Sequence, residues 1–526
     1  MYDLLFTGGT VIDGTGAAGA MADVAVSSDK IAAVGRLAGA TAKQTIDCRG
    51  KVIAPGFIDV HNHSDGWMLT IPHQTWKTSQ GFTTEVLMAD GISYAPVDEQ
   101  NWRQWLYYLR SLNGLTPADY RGWQSLADYM ALLDGHNAQN SAVHVPYANV
   151  RVLACGFGRS TPPDDVQMRE IKARIRRGME EGAVGLSTGL DYINQCHATT
   201  EEIAAACTAV VPYGGLYVTH VRYKIGLLPA LREAVEIGRR SGVKVHISHL
   251  KGSSEQEVQE VLKFIDKEAR QQVDFSFEVY PYQRGSTMLN YLLPYEVWAD
   301  GPLGVLGHLD LPEIRSRFRE ALVCFGVPLS QIHIAWTAAP GGDAWHGMPL
   351  EEFVRQRGKE AHEALIDLLI ESNLSTLLVA GPPTDRLVEP LIQHDLAILG
   401  SDGIYQPGGH VHPRVYGSAA RWLGPFVRDR KLFFLESAVH KLTGQSAARY
   451  GLADRGVIRA GAFADVVVFD SAIIGDPATY ESPRQTAIGI EHVAVNGRLV
   501  VSNGRPVEQP SATTCGRYLR HQPRSA

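Results

Sequence analysis

Four histidines and two carboxylates stand where side chains of their types can act together. His61 and His63 lie one residue apart in "APGFIDVHNHSD". Residues two apart on an extended chain project to the same side, so both imidazoles face one point. "LYVTH" ends in His220, "VHISH" in His249, "EVLMAD" in Asp90 and "AILGSD" in Asp402. Imidazole nitrogen and carboxylate oxygen form a donor set suited to zinc or another borderline divalent ion. Singly, His249 reads as a hydrogen-bonded core residue and Asp402, in "SDG", as a turn residue. Six such endings together read as a metal centre, provided the fold gathers the strand ends.

The elements around these residues supply that condition. From about 55 to 450, strand segments such as "TTEVLMADG", "GAVGLSTG", "GLYVTHVR", "KVHISHLK", "VDFSFEVYPY" and "LAILGSDG" alternate with helical ones. Repeated strand-then-helix order predicts a parallel sheet with crossover helices, and this many units favour an α/β fold closed into a (β/α)8 TIM-like barrel. In such a barrel all C-terminal strand ends share one face. Residues 1–54 and 451–526 are instead short strands with Gly-rich turns, including an Asn496-Gly497 hairpin. The two ends are expected to build one small β-sandwich domain around the barrel domain, 55–450. The stretch 288–345, rich in Pro, Gly, Trp and Leu, interrupts the alternation and reads as an inserted lid subdomain.

Bulk properties remove other classes. The 526-residue chain is 45% hydrophobic with a net charge of -7, so it builds a large core and offers no basic surface for nucleic acid or anionic membrane. Its six cysteines are scattered without a CxxC pair, against a disulfide framework or a Cys-based zinc finger. The N-terminus lacks the basic region and apolar run of a signal peptide, and no apolar stretch reaches the length of a membrane span. A cytoplasmic enzyme acting on a small molecule is expected; the oligomeric state is not set by the sequence.

From "GGTVIDGTG" and "APGFIDVHNHSD" through "GLSTGLDY", "VTHVR", "ISHLK" and "VYPYQRGSTML" to "GSDG", "HPRVYG" and "AGAFADVVVFD", the chain resembles the amidohydrolase superfamily and, within it, the D-aminoacylases. The resemblance implies one or two zinc ions and a metal-activated water attacking the amide of an N-acyl-D-amino acid. It makes His61 and His63 ligands of one metal position, His220 and His249 ligands of the other, and Asp402 the general base. It implies that Lys251 and Tyr282 hold the substrate's α-carboxylate; Tyr192, at the end of "STGLDY", is a further pocket candidate by its position. The chain departs from the family twice. Asp90 replaces a bridging cysteine, which opens the centre to other divalent ions, and Arg284 replaces a small residue, which suggests recognition of an acidic side chain. A cyclic-amide hydrolase of the hydantoinase kind and an aryl-amide hydrolase are the alternatives. Those relatives more often carry a carboxylated lysine on a mid-barrel strand, and "GAVGLSTG" has none. A barrel that had lost its metals and served as a scaffold would not be expected to keep all four histidines and Asp402.

Overall fold

The computed structural model describes residues 1–382, 384–509 and 513–522. Its centre is a ring of parallel strands. Strands β6 (Phe57–Asp59), β7 (Phe82–Leu87) and β8 (Asn140–Val143) pair in order; β9 (Val145–Pro146), β10 (Gly185–Gly189), β11 (Leu216–His220), β12 (Lys244–Ile247), β13 (Phe275–Val279) and β17 (Ala397–Leu399) form a second run. The runs are joined at both seams. β8 and β9 are two halves of one strand interrupted at His144, whose N–H bonds to Leu87 O (3.2 Å). At the other seam Asn62 bridges Gly403 in parallel, with Asp402 N–H on His61 O (2.7 Å) and His63 N–H on Gly403 O (3.1 Å). The result is a closed eight-stranded barrel.

Parallel strands covered on both faces should be buried along their whole length, as β7 ("FTTEVL"), β11 ("LYVTH") and β13 ("FSFEV") are. The outer helices show why they form. Helix Asp165–Glu180 starts at Asp164, whose carboxylate accepts from Val166 and Gln167 N–H, and it buries Ile171, Ile175 and Met179 at four-residue spacing. Helix Leu227–Ser241 turns Leu227, Leu231 and Val235 inward and stops at Gly242, whose φ of 79° suits glycine. No helix among the described residues is long and apolar enough to cross a membrane.

The chain ends meet in a second sheet. It contains β1 (Tyr2–Val11), β2 (Ala20–Ser27), β3 (Lys30–Gly35), β4 (Ala42–Asp47), β5 (Val52–Pro55), β18 (Val466–Phe469), β19 (Ile490–Val495), β20 (Arg498–Ser502) and β21 (Arg505–Pro506). It is one continuous nine-stranded sheet, with β5 paired to β18 and β4 branching from β1, folded over its own core of Phe6, Val24, Val26, Ile53, Val466 and Val468. Two details mark where this sheet ends. "VIAPGFID" is not one strand: it breaks at Gly56, where a Cβ would lie 2.1 Å from Thr83 Oγ1, so "VIAP" joins the terminal sheet and "FID" the barrel. Residues 513–522 leave the terminal sheet, since Tyr518 bridges Ser141 beside β8 and Gly516 N–H bonds to Asn137 O (2.7 Å).

Between β13 and β17 lies a small antiparallel sheet of β14 (Gly285–Met288), β15 (Ile332–Thr337) and β16 (Thr376–Ala380), with helices including Gly301–His308, Pro312–Phe325 and Ala361–Glu371. β16 is its central strand, so the inserted sheet is complete only at Ala380, beyond the expected limit of 345.

Candidate functional site

The C-terminal mouth of the barrel brings together His61, His63, Asp90, His220, His249 and Asp402. Each imidazole has one nitrogen anchored outward and one turned inward. His61 Nδ1 donates to Glu278 Oε1 (2.7 Å), and His63 Nδ1 to Asn113 Oδ1 (3.2 Å). His249 Nδ1 meets the Tyr223 hydroxyl (3.3 Å), and His220 Nε2 lies 3.5 Å from Asp191 Oδ2. The inward atoms face one another. His61 Nε2 is 3.6 Å from Asp90 Oδ1 and 3.8 Å from Asp402 Oδ1; His63 Nε2 is 3.7 Å from Asp90 Oδ2 and 3.3 Å from Asp402 Oδ1. His249 Nε2 is 3.7 Å from Asp90 Oδ1 and 3.0 Å from His220 Nδ1.

Asp90, His249 and Asp402 hold positive φ values of 57°, 35° and 49°. For residues with a Cβ this conformation carries strain, tolerated where surrounding structure fixes a functional group. Asp65 helps fix the Asp90 turn, accepting from Met88 N–H (3.1 Å) and Ser93 Oγ (2.5 Å). Below the seam, buried Lys77 binds Asp59, Glu85 (3.2 Å) and Ser401 Oγ (3.0 Å), and Asp59 also accepts from Ser401 N–H (2.7 Å). That cluster ties the strand before His61 to the one before Asp402.

The electrostatics call for a cation. Burial opposes charge on His61, yet Asp90 and then Glu278 outweigh it and lift its pKa to about 10. Burial also opposes ionisation of Asp90, but His61 and His249 hold its carboxyl below the usual range. His61 Nε2 and Asp90 Oδ1 are buried with no hydrogen-bond partner. Two overlapping triads, His61–His63–Asp402 and His61–Asp90–His249, have ligand atoms within 4.8 Å of one another. Orphaned inward donors, neutral-capable imidazoles and excess carboxylate fit a divalent metal.

Asp402 has a second neighbour that the sequence reading left without a role. Buried Arg414, opening the helix Arg414–Arg421, places Nη1 2.8 Å from Asp402 Oδ2 and lies over the Tyr280 ring at 4.4 Å. Burial would raise the Asp402 carboxyl, but Arg414 and then His63 hold it well below the ordinary value.

Beside this centre is a cavity of about 520 Å³, lined by Tyr192, Lys251, Tyr280, Ser286, Thr287 and Leu227, among others, with Tyr291, Phe325 and Val327 from the insertion. Lys251 Nζ contacts the Tyr280 hydroxyl and donates to Gln283 O (3.2 Å). Burial, then the Arg414 guanidinium, pushes Lys251 down to about 7, and an arriving carboxylate would reverse that shift. Two expectations need correction. The Tyr282 hydroxyl donates to Asp476 Oδ2 (2.6 Å) outside the cavity, and Tyr280 occupies the expected place beside Lys251. Arg284 also turns away, its guanidinium stacked on Tyr480 at 4.3 Å. The chain leaves the strand after Val279, so alternation no longer says which residue faces in.

Glu278, Arg414, Tyr280 and Asp191 were not singled out from the sequence. Only Glu278 carried a readable signal: a carboxylate inside the apolar strand "FSFEV" must be buried and therefore paired.

An eight-stranded barrel that gathers four imidazoles and two carboxylates at its C-terminal mouth defines a metal-dependent hydrolase of the amidohydrolase class. Residues 44–279 and 362–501 match the model of the amidohydrolase family, the gap falling on the insertion. The chain is 35% identical to a D-aminoacylase of Alcaligenes xylosoxydans xylosoxydans over 98% of its own length and 97% of the relative's. A D-aminoacylase crystal structure superposes with a TM-score of 0.82 at 33% identity, covering 99% of this chain and 100% of that one. The N-acyl-D-glutamate deacylase of Bordetella bronchiseptica, complexed with zinc and a phosphonate mimic of the tetrahedral intermediate, gives 0.81 at 30% identity, with 99% of each chain covered. The protein belongs to the D-aminoacylase family of the amidohydrolases.

Proposed function

We infer that the protein hydrolyses N-acyl-D-amino acids with neutral side chains, releasing a carboxylate and the free D-amino acid. The observation that carries the reading is the arrangement of inward imidazole nitrogens around Asp90 and Asp402, with Lys251 and Tyr280 across the same cavity. His61, His63 and Asp402 would hold one zinc ion and His220 and His249 a second, with Asp90 between them. A carboxylate at position 90 is a harder donor than a thiolate and widens the choice of divalent ion. When bound, such an ion lowers the pKa of water towards 7 and polarises a carbonyl.

The remaining work belongs to the chain's own groups. Lys251 and the Tyr280 hydroxyl bind the substrate's α-carboxylate. The Asp402 carboxylate, kept ionised by Arg414, accepts a proton from the attacking water and returns it to the departing nitrogen. Neutral side chains are favoured because Lys251 is the one lysine or arginine among the described lining residues, and Glu257 adds negative charge to the same wall. With Arg284 stacked on Tyr480, the described lining residues offer a second carboxylate no further lysine or arginine.

The test is turnover of N-acetyl-D-leucine, N-acetyl-L-leucine, N-acetyl-D-glutamate and hydantoin, before and after chelation and zinc restoration. Metal-dependent hydrolysis of the first, well above the others, is expected. Chelator-insensitive turnover, or preference for hydantoin, would overturn the reading; preference for the glutamate substrate would overturn its neutral-side-chain part.

A further inference from the structure

Asp191 is 4% exposed and has no role in the reaction as described. It follows β10 in "STGLDY" and lies on the outer side of His220, 3.5 Å from a buried Nε2 that has no hydrogen-bond partner. Its remaining partners come from the insertion. The Tyr295 hydroxyl donates to Oδ1 (2.5 Å) and the Tyr291 hydroxyl to Oδ2 (3.2 Å). Lys224 caps both rings, its Nζ 4.7 Å from the Tyr291 centroid and 4.4 Å from that of Tyr295.

The His220 ring has only two nitrogens. Nδ1 faces His249 Nε2 at 3.0 Å, on the inward side of the centre. If it is to offer a lone pair, the proton must sit on Nε2, and a carboxylate there selects that tautomer and sets the ring's tilt. An Asp oxygen is free to turn, however, and two phenols aimed at its two oxygens remove that freedom. Tyr291 stands on the short helical turn Leu289–Leu292 and itself lines the cavity, and Tyr295 opens the next turn, Tyr295–Asp300.

We propose that Asp191 is a positioning residue for His220, held in place by Tyr291 and Tyr295, so that seating of the insertion and retention of metal at His220 are one coupled equilibrium. The proposal rests on the reading of His220 as a metal ligand. It makes the insertion a second support for the metal as well as a wall for substrate.

The test measures zinc release from the loaded enzyme into excess chromogenic chelator, which requires no amide substrate. Asp191→Asn should speed release by about 10–100-fold, the usual effect of losing a carboxylate behind a ligating histidine. The pair Tyr291→Phe and Tyr295→Phe, which leaves every ligand in place, should speed it in the same direction. In a His220→Ala background, Asp191→Asn should add nothing further, because the route through the imidazole is gone. Circular dichroism and melting temperature of each variant report folding; were Asp191→Asn to unfold, the tyrosine pair carries the test alone. Release at the parental rate from correctly folded variants overturns the coupling, as does equal acceleration with and without His220. A parent that retains no zinc overturns both this proposal and the metal assignment, whereas normal zinc retention without amide turnover overturns only the substrate reading.

Discussion

Replacing Arg414 with methionine should shift the pH dependence of the reaction without removing any metal ligand. The guanidinium lies 2.8 Å from Asp402 Oδ2 inside a fully buried environment. With about 4 Å between charge centres and an effective dielectric of about 20, the pair is worth roughly 4 kcal/mol, or about 3 pH units. His63, His249 and His61 remain to favour the carboxylate, so the Asp402 pKa is expected to rise by only part of that amount. The sign follows from the depressed pKa: the active carboxylate is present above it and lost as pH falls through it. Removing Arg414 raises that pKa, so the acid limb of kcat/KM moves to higher pH. The assay is kcat/KM for N-acetyl-D-leucine followed from neutral pH down to the lowest pH at which both proteins stay folded, with zinc content measured at each end. Arg414→Lys, which keeps the charge, should move the limb less. Losing a buried partner also costs stability, about 3–5 kcal/mol, so profiles belong well below the melting temperature. An acid limb that stays in place in a folded, metal-loaded Arg414→Met would refute the claim that this guanidinium sets the ionisation of Asp402.

Three further outcomes test other parts of the site. Asp402→Asn should keep the zinc held by His220, His249 and Asp90 while kcat falls by about 10²–10⁴-fold; an unchanged kcat returns Asp402 to an ordinary turn residue. Glu278→Gln should weaken zinc affinity by about 10–100-fold through His61, read by competition with a chelator of known affinity, and equal affinities would remove Glu278 from that role. Tyr280→Phe should raise KM about 10-fold or more by removing a hydrogen bond to the substrate carboxylate, with Tyr282→Phe leaving KM within about 2-fold. Tyr282→Phe should instead lower the melting temperature, because Asp476 loses its phenol, and a reversal of the two KM effects would restore Tyr282 to the site.

The six residues named first were legible because their elements share one geometry. Each follows a strand of a parallel barrel, and chain order alone brings such strand ends to one mouth. What surrounds them depends on tertiary approach and leaves no local pattern. Arg414 reaches Asp402 from a helix that begins 12 residues later, and nothing in "HPRVYG" says that its guanidinium folds back onto a strand end. Asp191 and Tyr192 were adjacent in a stretch singled out for its tyrosine, and the insertion's phenols select the aspartate as the partner of His220. At the join between "VIAP" and "FID" both halves are fully buried, and the close approach of Thr83 to Gly56 is what separates them.

The seam at which Asp402 pairs with His61 also sets when the centre can exist. Asp59 and Ser401, which sit one step below it, are 342 residues apart in the chain. A ribosome adding about 5–20 residues per second takes roughly 20–70 s to cover that distance. For most of that interval His61 and His63 are outside the ribosome, on a barrel that lacks its last strand and has no Asp402 to complete their triad. Strand β5 waits longer still, since its second edge is covered only when β18 arrives at Val466. A nascent chain therefore carries two unpaired strand edges and two exposed imidazoles for most of its synthesis, and metal capture by the full set follows barrel closure. Zinc supplied to stalled chains ending before residue 397 should leave their protease sensitivity unchanged, whereas chains extended past 450 should become protected on its addition.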